Sequence, residues 1–372
     1  MAQDNAVLTV MLVAGARPNF MKIAPVLKAL DRTGQRSIVV HTGQHYDDRM
    51  SASFFRDLEI REPDFHLGVG SATHAAQTAR VMESFEPILT QTRPDWVVVP
   101  GDVNSTLAAA LVCVKLKESL GTRLAHLEAG LRSNDWRMPE EVNRVLTDRC
   151  SDLLLIPSWD AAQNLAREGI DADRVVFVGN VMIDTLLDRL PAARELDMAG
   201  RMRLPTGEFV MSTLHRPSNV DEREALETCL LGLGAIAAER PVVLALHPRT
   251  TKQVEAFGLR ALLEPLCVTE PLAYMEMLSL VDAAGAVVTD SGGVQEETTA
   301  LGVPCVTLRE TTERPITVEQ GTNRLAPWPL TAGGISETVA AALASGRAGV
   351  GVRAPEGWDG RAAERTVRAL AR

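Results

Sequence analysis

The chain has 372 residues, of which 46% are hydrophobic and 23% charged, and its formal net charge is −10. The acidic total excludes wholesale wrapping of nucleic acid while leaving room for local basic pockets that hold phosphate. No apolar run reaches the roughly 18 residues of a membrane span, so neither nucleic acid nor a membrane is an expected partner.

A chain this long is expected to split into two domains. The stretch 6–15 is apolar, but it has no basic residue before Arg17 and no small-residue cleavage pattern after it, so it reads as a first strand and not as a signal peptide. Five cysteines, at 113, 150, 229, 267 and 305, are scattered, odd in number and never spaced C-x-x-C. That usage favours reduced, buried thiols and a cytoplasmic location, and gives no zinc site.

Apolar runs alternate with helix-length segments along the chain, the sequence form of repeated βα units and parallel sheets. Strands are expected at Leu8–Ala14, Ser37–His41, Trp96–Val99, Arg123–His126, Leu153–Ile156 and Val175–Val178. A second series follows at Phe209–Thr213, Pro241–Leu246, Cys267–Val268, Ala286–Thr289 and Cys305–Leu308. The fold class is therefore α/β, with two Rossmann-like doubly wound domains facing a cleft that takes the ligand. The polar stretch 188–207 marks a junction near 180–207. The expected domains are 1–180, joined by an amphipathic C-terminal helix at 360–372, and 181–359.

The first strand runs into Gly15-Ala16-Arg17-Pro18, with Lys22 one turn on. Glycine at the turn, proline at a helix start and two cations suit a diphosphate cradle; the alternative is a tight βα turn with exposed basic side chains. The loose match Gly232-Leu-Gly234-Ala-Ile-Ala237 has no strand before it, so a nicotinamide cofactor is unsupported. Asp102 sits where a strand gives way to a helix, an address for ligands in open α/β sheets, although helix capping by Asp102, Asn104 or Ser105 explains the same pattern. Glu128 has the same address after Arg123–His126. Glu140 and Arg144 stand four apart on one helix face, as a brace that positions an acid or as a surface pair. Crowded carboxylates of this kind can divide acid and base roles.

His215 and His247 each follow a strand of the second series, either as cleft residues or as satisfied core histidines. "DSGGVQEE" ends a strand at Asp290, after which Ser291, Gly292 and Gly293 present backbone N–H groups at a helix start. Glu296 and Glu297 then serve the helix dipole or accept ribose hydroxyls.

In this order, "GARPNFMKIAPV", "TGQHYD", "GDVNSTLAAAL", "HLEAGLRS", "PEEVNR", "GNVMIDTL", "TLHRPSN", "DSGGVQEE" and "RETTERPITVEQGTN" resemble the non-hydrolysing UDP-N-acetylglucosamine 2-epimerases over about residues 8–330. The resemblance implies the glycosyltransferase-B architecture, a homodimer, no cofactor and no metal. It also implies reversible 2-epimerisation of UDP-N-acetylglucosamine by elimination of UDP to 2-acetamidoglucal and re-addition. By motif, Asp102, Glu128 and Glu140 would be the acid and base carboxylates and His215 a catalytic or diphosphate-contacting imidazole. Arg17, Lys22, Arg144, His247, Ser291, Gly292, Gly293, Glu297 and Arg314 would bind the substrate. Two departures stand out: Pro217 where many bacterial members carry a second arginine, and an uncharged loop at 68–73, both in the family's allosteric substrate site. They imply an enzyme without activation by its substrate. The "GVGSATHAAQT" form is also similar to relatives acting on other UDP-amino sugars, such as diacetamido uronic acids, and a retaining glycosyltransferase would share the architecture.

Overall fold

The computed structural model describes residues 7–43, 55, 57–352 and 354–372, with only the backbone of Arg17. The chain forms two compact units, Met1–Thr185 with Glu356–Arg372, and Leu186–Pro355. The division falls inside a helix, Val181–Leu196, so the stretch expected as a polar junction is largely helical.

The first unit holds a seven-stranded parallel sheet: β1 (Thr9–Ala14), β2 (Arg36–His41), β3 (Phe65–His66), β4 (Trp96–Pro100), β5 (Arg123–Leu127), β6 (Leu153–Ile156) and β7 (Val175–Phe177), in the order β3-β2-β1-β4-β5-β6-β7. Helices cover both faces, so the central strands are buried on both sides and read as unbroken apolar runs. Met11, Val13, Val97 and Val99 pack with Phe85 and Leu89 of the helix His74–Thr92 and with Ala109 and Cys113 of the helix Asn104–Leu120. The last helix, Ala362–Leu370, belongs to this unit and packs on the helix Arg17–Arg32. Asp184 caps it by accepting from the N–H groups of Ala362 (3.1 Å) and Ala363 (2.7 Å), and the Trp96 indole N–H donates to the Leu370 carbonyl at 2.9 Å.

The second unit holds β8 (Val210–Leu214), β9 (Val242–Leu246), β10 (Cys267–Thr269), β11 (Ala286–Thr289), β12 (Cys305–Thr307) and β13 (Asn323–Leu325), all parallel, in the order β10-β9-β8-β11-β12-β13. Gly232 and Gly234 lie inside the helix Arg223–Ala237, and a Cβ on Gly232 would come within 3.0 Å of Ile335. That glycine therefore serves helix packing and not dinucleotide binding.

In each sheet the strand order reverses once, between β1 and β4 and between β8 and β11. Ligands in open α/β sheets bind outside the strand carboxyl ends at this reversal. Of the cysteines expected to be buried, Cys113, Cys229 and Cys305 are, whereas Cys150 is half-buried and Cys267 is exposed on the edge strand β10. Among the described residues, no helix is long and apolar enough to cross a membrane.

Candidate active site

At the reversal of the first unit, β1 is followed by Gly15, Ala16 and the helix Arg17–Arg32. Asn19 braces this turn: its carbonyl accepts from the N–H groups of Gly15 (3.1 Å) and Ala16 (3.0 Å), and its amide donates to the Pro100 carbonyl at 3.1 Å. The turns after β1 and β4 are thus tied together. Gly101 has φ +64°, and a Cβ there would lie 2.7 Å from the Lys22 ammonium, so glycine is required both for the turn and for the approach of Lys22.

Pro100 pairs with Leu127 in the β4–β5 register, which puts Asp102 and Glu128 on neighbouring strand ends. Lys22 and Glu128 form a buried ion pair at 2.5 Å. Glu128 itself has φ +73°, a region that side chains other than glycine rarely occupy and that clusters at functional sites. Arg144, 3% exposed, forks between two acids, donating to Asp102 Oδ2 and to Glu141 Oε2. Glu141 in turn accepts from the N–H groups of Ser133 and Asn134 at 2.9 to 3.1 Å.

This corrects one expectation. The partner of Arg144 on its own helix is Glu141, three residues back, and not Glu140. A helix places residues three and four apart on almost the same face, so spacing alone did not choose between the two. Glu140 is partly exposed in the first turn of the helix Pro139–Cys150. Asn143, not singled out from sequence, donates to the Asp102 carbonyl at 2.9 Å and to Asn104 at 3.2 Å. The Gln44 and His45 of "TGQHYD" lie outside the described residues, as does the Arg17 side chain.

In the second unit the reversal joins the turns after β8 and β11 through Asp290, which is fully buried. Its carboxylate accepts from the N–H groups of His215 and Arg216 at 2.9 to 3.2 Å and from the Asn219 amide at 3.1 Å, and it lies 2.9 Å from His215 Nδ1. Burial pushes the Asp290 carboxyl up, but the His215 ring and these N–H donors outweigh it and hold it below its ordinary range. The rings of His215 and His247 lie 5.7 Å apart. His247 Nδ1 accepts from the Arg249 N–H at 3.2 Å, so Nε2 carries the hydrogen of the neutral ring. Burial, then His215, lowers the His247 pKa.

Ser291 precedes the helix Gly292–Leu301, whose first N–H groups are open to an anion. Beneath it lies a group of charges of which the sequence reading found only part. Arg314 pairs with Glu296 at 2.7 Å, and Glu313 pairs with Arg309 at 2.7 Å and with Arg216 at 3.4 Å. These three guanidiniums and two carboxylates, with the Asp290 carboxylate, set the charge beside the helix start. Arg309 and Glu313 were missed because nothing in "RETTER" separates structural from exposed charges. Arg314 was found through its motif alone. Glu296 is therefore held by Arg314, while Glu297, buried and facing Tyr274, is the second acid of the pair. Among the described residues no group of three or more His, Cys, Asp or Glu could hold a metal ion.

The model of the UDP-N-acetylglucosamine 2-epimerase family matches residues 28–371. The UDP-N-acetylglucosamine 2-epimerase of Methanocaldococcus jannaschii is 41% identical over 322 residues, covering 84% of this chain and 87% of that protein. The UDP-2,3-diacetamido-2,3-dideoxy-D-glucuronate 2-epimerase of Pseudomonas aeruginosa is also 41% identical, over 327 residues, with 86% and 88% covered. The crystal structure of the M. jannaschii UDP-GlcNAc 2-epimerase in complex with UDP-GlcNAc and UDP superposes with a TM-score of 0.87 at 38% identity, covering 98% of this chain and 99% of that one. A glycosyltransferase of Rickettsia africae shares the fold at 12% identity and a TM-score of 0.56.

Proposed function

From the premise that this chain belongs to the UDP-N-acetylglucosamine 2-epimerase family, and is by that membership an isomerase, we propose that it interconverts UDP-N-acetylglucosamine and UDP-N-acetylmannosamine. The observation that carries this reading is the pairing of acids with buried cations at the first sheet's reversal, Glu128 with Lys22 and Asp102 with Arg144.

Carbon 2 of an N-acetylhexosamine is not α to a carbonyl, so its proton is not acidic, and elimination provides a route. A base takes the carbon 2 proton as the bond from carbon 1 to the UDP oxygen breaks, leaving 2-acetamidoglucal and UDP. UDP then adds back at carbon 1 while carbon 2 is protonated on its other face. Asp102, Glu128 and Glu140 are the proposed proton carriers. Lys22 beside Glu128 and Arg144 beside Asp102 supply positive charge there, and Arg17 is assigned to the diphosphate by its motif. In the second unit, Gly292 and Gly293 offer backbone N–H groups to the diphosphate beside Ser291, whose own N–H donates to the Thr289 hydroxyl at 3.0 Å, with His215, His247 and Arg314 around them, and Glu297 accepts from ribose hydroxyls. Holding UDP through both half-reactions is what permits re-addition. A homodimer in the cytoplasm is the assembly and location that fit this reading.

The equal identity to the P. aeruginosa enzyme supports a second reading, in which the sugar is a diacetamido uronic acid. The purified protein is incubated separately with each UDP-sugar in deuterium oxide and followed by proton NMR. Epimerisation of UDP-N-acetylglucosamine with deuterium at carbon 2 is the expected result. Product without deuterium refutes elimination, and turnover of the uronate alone selects the second reading.

A further inference from the structure

Asp102 and Glu128 sit in separate turns, and each turn has a backbone that needs holding: φ is +64° at Gly101 and +73° at Glu128. One buried pair reaches both. His126, in β5, places Nε2 2.8 Å from the Gly101 carbonyl and Nδ1 2.6 Å from Asp148 Oδ1. Asp148, on the helix Pro139–Cys150, uses its other oxygen to accept from the Gly130 N–H at 3.1 Å. Both ring nitrogens therefore face acceptors, and neither side chain is exposed. Asp148 is fixed in turn by Arg132 at 2.7 Å, whose guanidinium is also held by Glu168 at 2.7 Å. Burial alone would push the Asp148 carboxyl up, but His126 and Arg132 hold it below its ordinary range.

From this geometry we infer that His126 and Asp148 are positioning residues, a buried brace joining the residue before Asp102 to the turn after Glu128 and so fixing the spacing of the two carboxylates. A satisfied core histidine would explain why both nitrogens have partners. It would not explain why the brace ends on the two backbone groups that flank the acids. The kinetic consequence rests on the epimerase reading above, whereas the geometric one does not.

Two variants separate the ends of the brace. His126→Asn keeps a donor near the Nδ1 position and loses the reach to Gly101, while His126→Gln keeps a donor near Nε2 and loses the bond to Asp148. Amide hydrogen exchange, read by mass spectrometry on the whole protein, is expected to quicken in the peptide spanning 100–105 in His126→Asn and in the peptide spanning 127–133 in His126→Gln, and to stay unchanged across β8–β13 in both. Turnover is expected to fall about tenfold or more at a KM changed less than about twofold, because a misplaced acid weakens the transition state and not the grip on UDP. His126→Gln recovers part of this loss, and calorimetry with UDP gives the wild-type affinity for both variants. Exchange altered in neither peptide or only one overturns the inference. So do full turnover in His126→Asn and unfolding of both variants, since the pair would then hold the domain and not the acids. Should the wild-type protein epimerise no UDP-sugar, the functional reading fails and the exchange measurements still decide the brace.

Discussion

Glu297 is expected to make the second unit less stable as pH rises. Burial is the main reason its carboxyl is lifted from an ordinary 4.5 to about 8, the neighbouring Glu296 adds to the effect, and the facing Tyr274 hydroxyl works against it. The folded chain thus holds this proton more tightly than the unfolded chain does. The stability it contributes is complete below pH 4.5 and is lost as pH rises through 8. At about 1.4 kcal/mol for each tenfold difference in proton affinity, the loss between pH 5 and pH 8 comes to about 3 kcal/mol. Glu297→Gln keeps the shape and cannot ionise. It should match the wild type near pH 5 and exceed it near pH 8 by an amount on the order of 10 °C in the melting temperature of a domain this size. The assay is differential scanning calorimetry of both proteins without ligand from pH 5 to 9. A difference between them that stays flat with pH would refute the reasoning, because it would mean that Glu297 is already ionised in the folded state.

Gly292→Ala would set a Cβ 2.6 Å from Glu313 Oε1, and Glu313 is held by Arg309 and Arg216; UDP affinity by calorimetry should fall about tenfold as the charges beside the helix start shift. Asp184→Ala removes both N–H acceptors from the start of the helix Ala362–Leu370, and denaturant unfolding should show about 1 to 2 kcal/mol less stability, with faster proteolysis of the last residues. Asp102→Asn should cut turnover roughly a hundredfold with little change in melting temperature, and equal losses of both would assign Asp102 to capping alone. Pro217 opens the short helix Pro217–Val220 without an N–H or a charge, and Arg216 already faces Glu313; initial rates should therefore be hyperbolic in UDP-N-acetylglucosamine, and a Hill coefficient clearly above one would show that a second substrate site persists.

The two sheets were legible because buried parallel strands are apolar throughout, and the eleven expected runs all correspond to strands, with ends differing by a residue or two. The two strands that escaped, β3 and β13, are the shortest kind of edge strand, with two and three residues and partly exposed side chains. An edge strand that short carries neither periodicity nor length to read. The acids Asp102 and Glu128 were legible from their addresses at strand ends. Their supports were not. Glu141 and Glu140 are indistinguishable until the register of Arg144 is known. His126 looks like any polar residue in a strand until Gly101 and Asp148 arrive from 25 residues before and 22 residues after it. Charges brought together by tertiary structure leave no mark on local sequence.

The cap of Asp184 on the helix Ala362–Leu370, and the indole of Trp96 on the Leu370 carbonyl, bear on how the protein is made. Synthesis runs from the N-terminus, so the seven strands of the first unit emerge early, yet the helix that covers the helix Arg17–Arg32 is translated only after the whole second unit. The nascent first unit must wait with an apolar flank uncovered while some 170 residues are added, at roughly 5 to 20 residues per second, for an interval on the order of ten seconds or more. During that interval the flank is where a chaperone would bind or where two nascent chains would stick together, and a chain cut before Ala362 would leave it open for good.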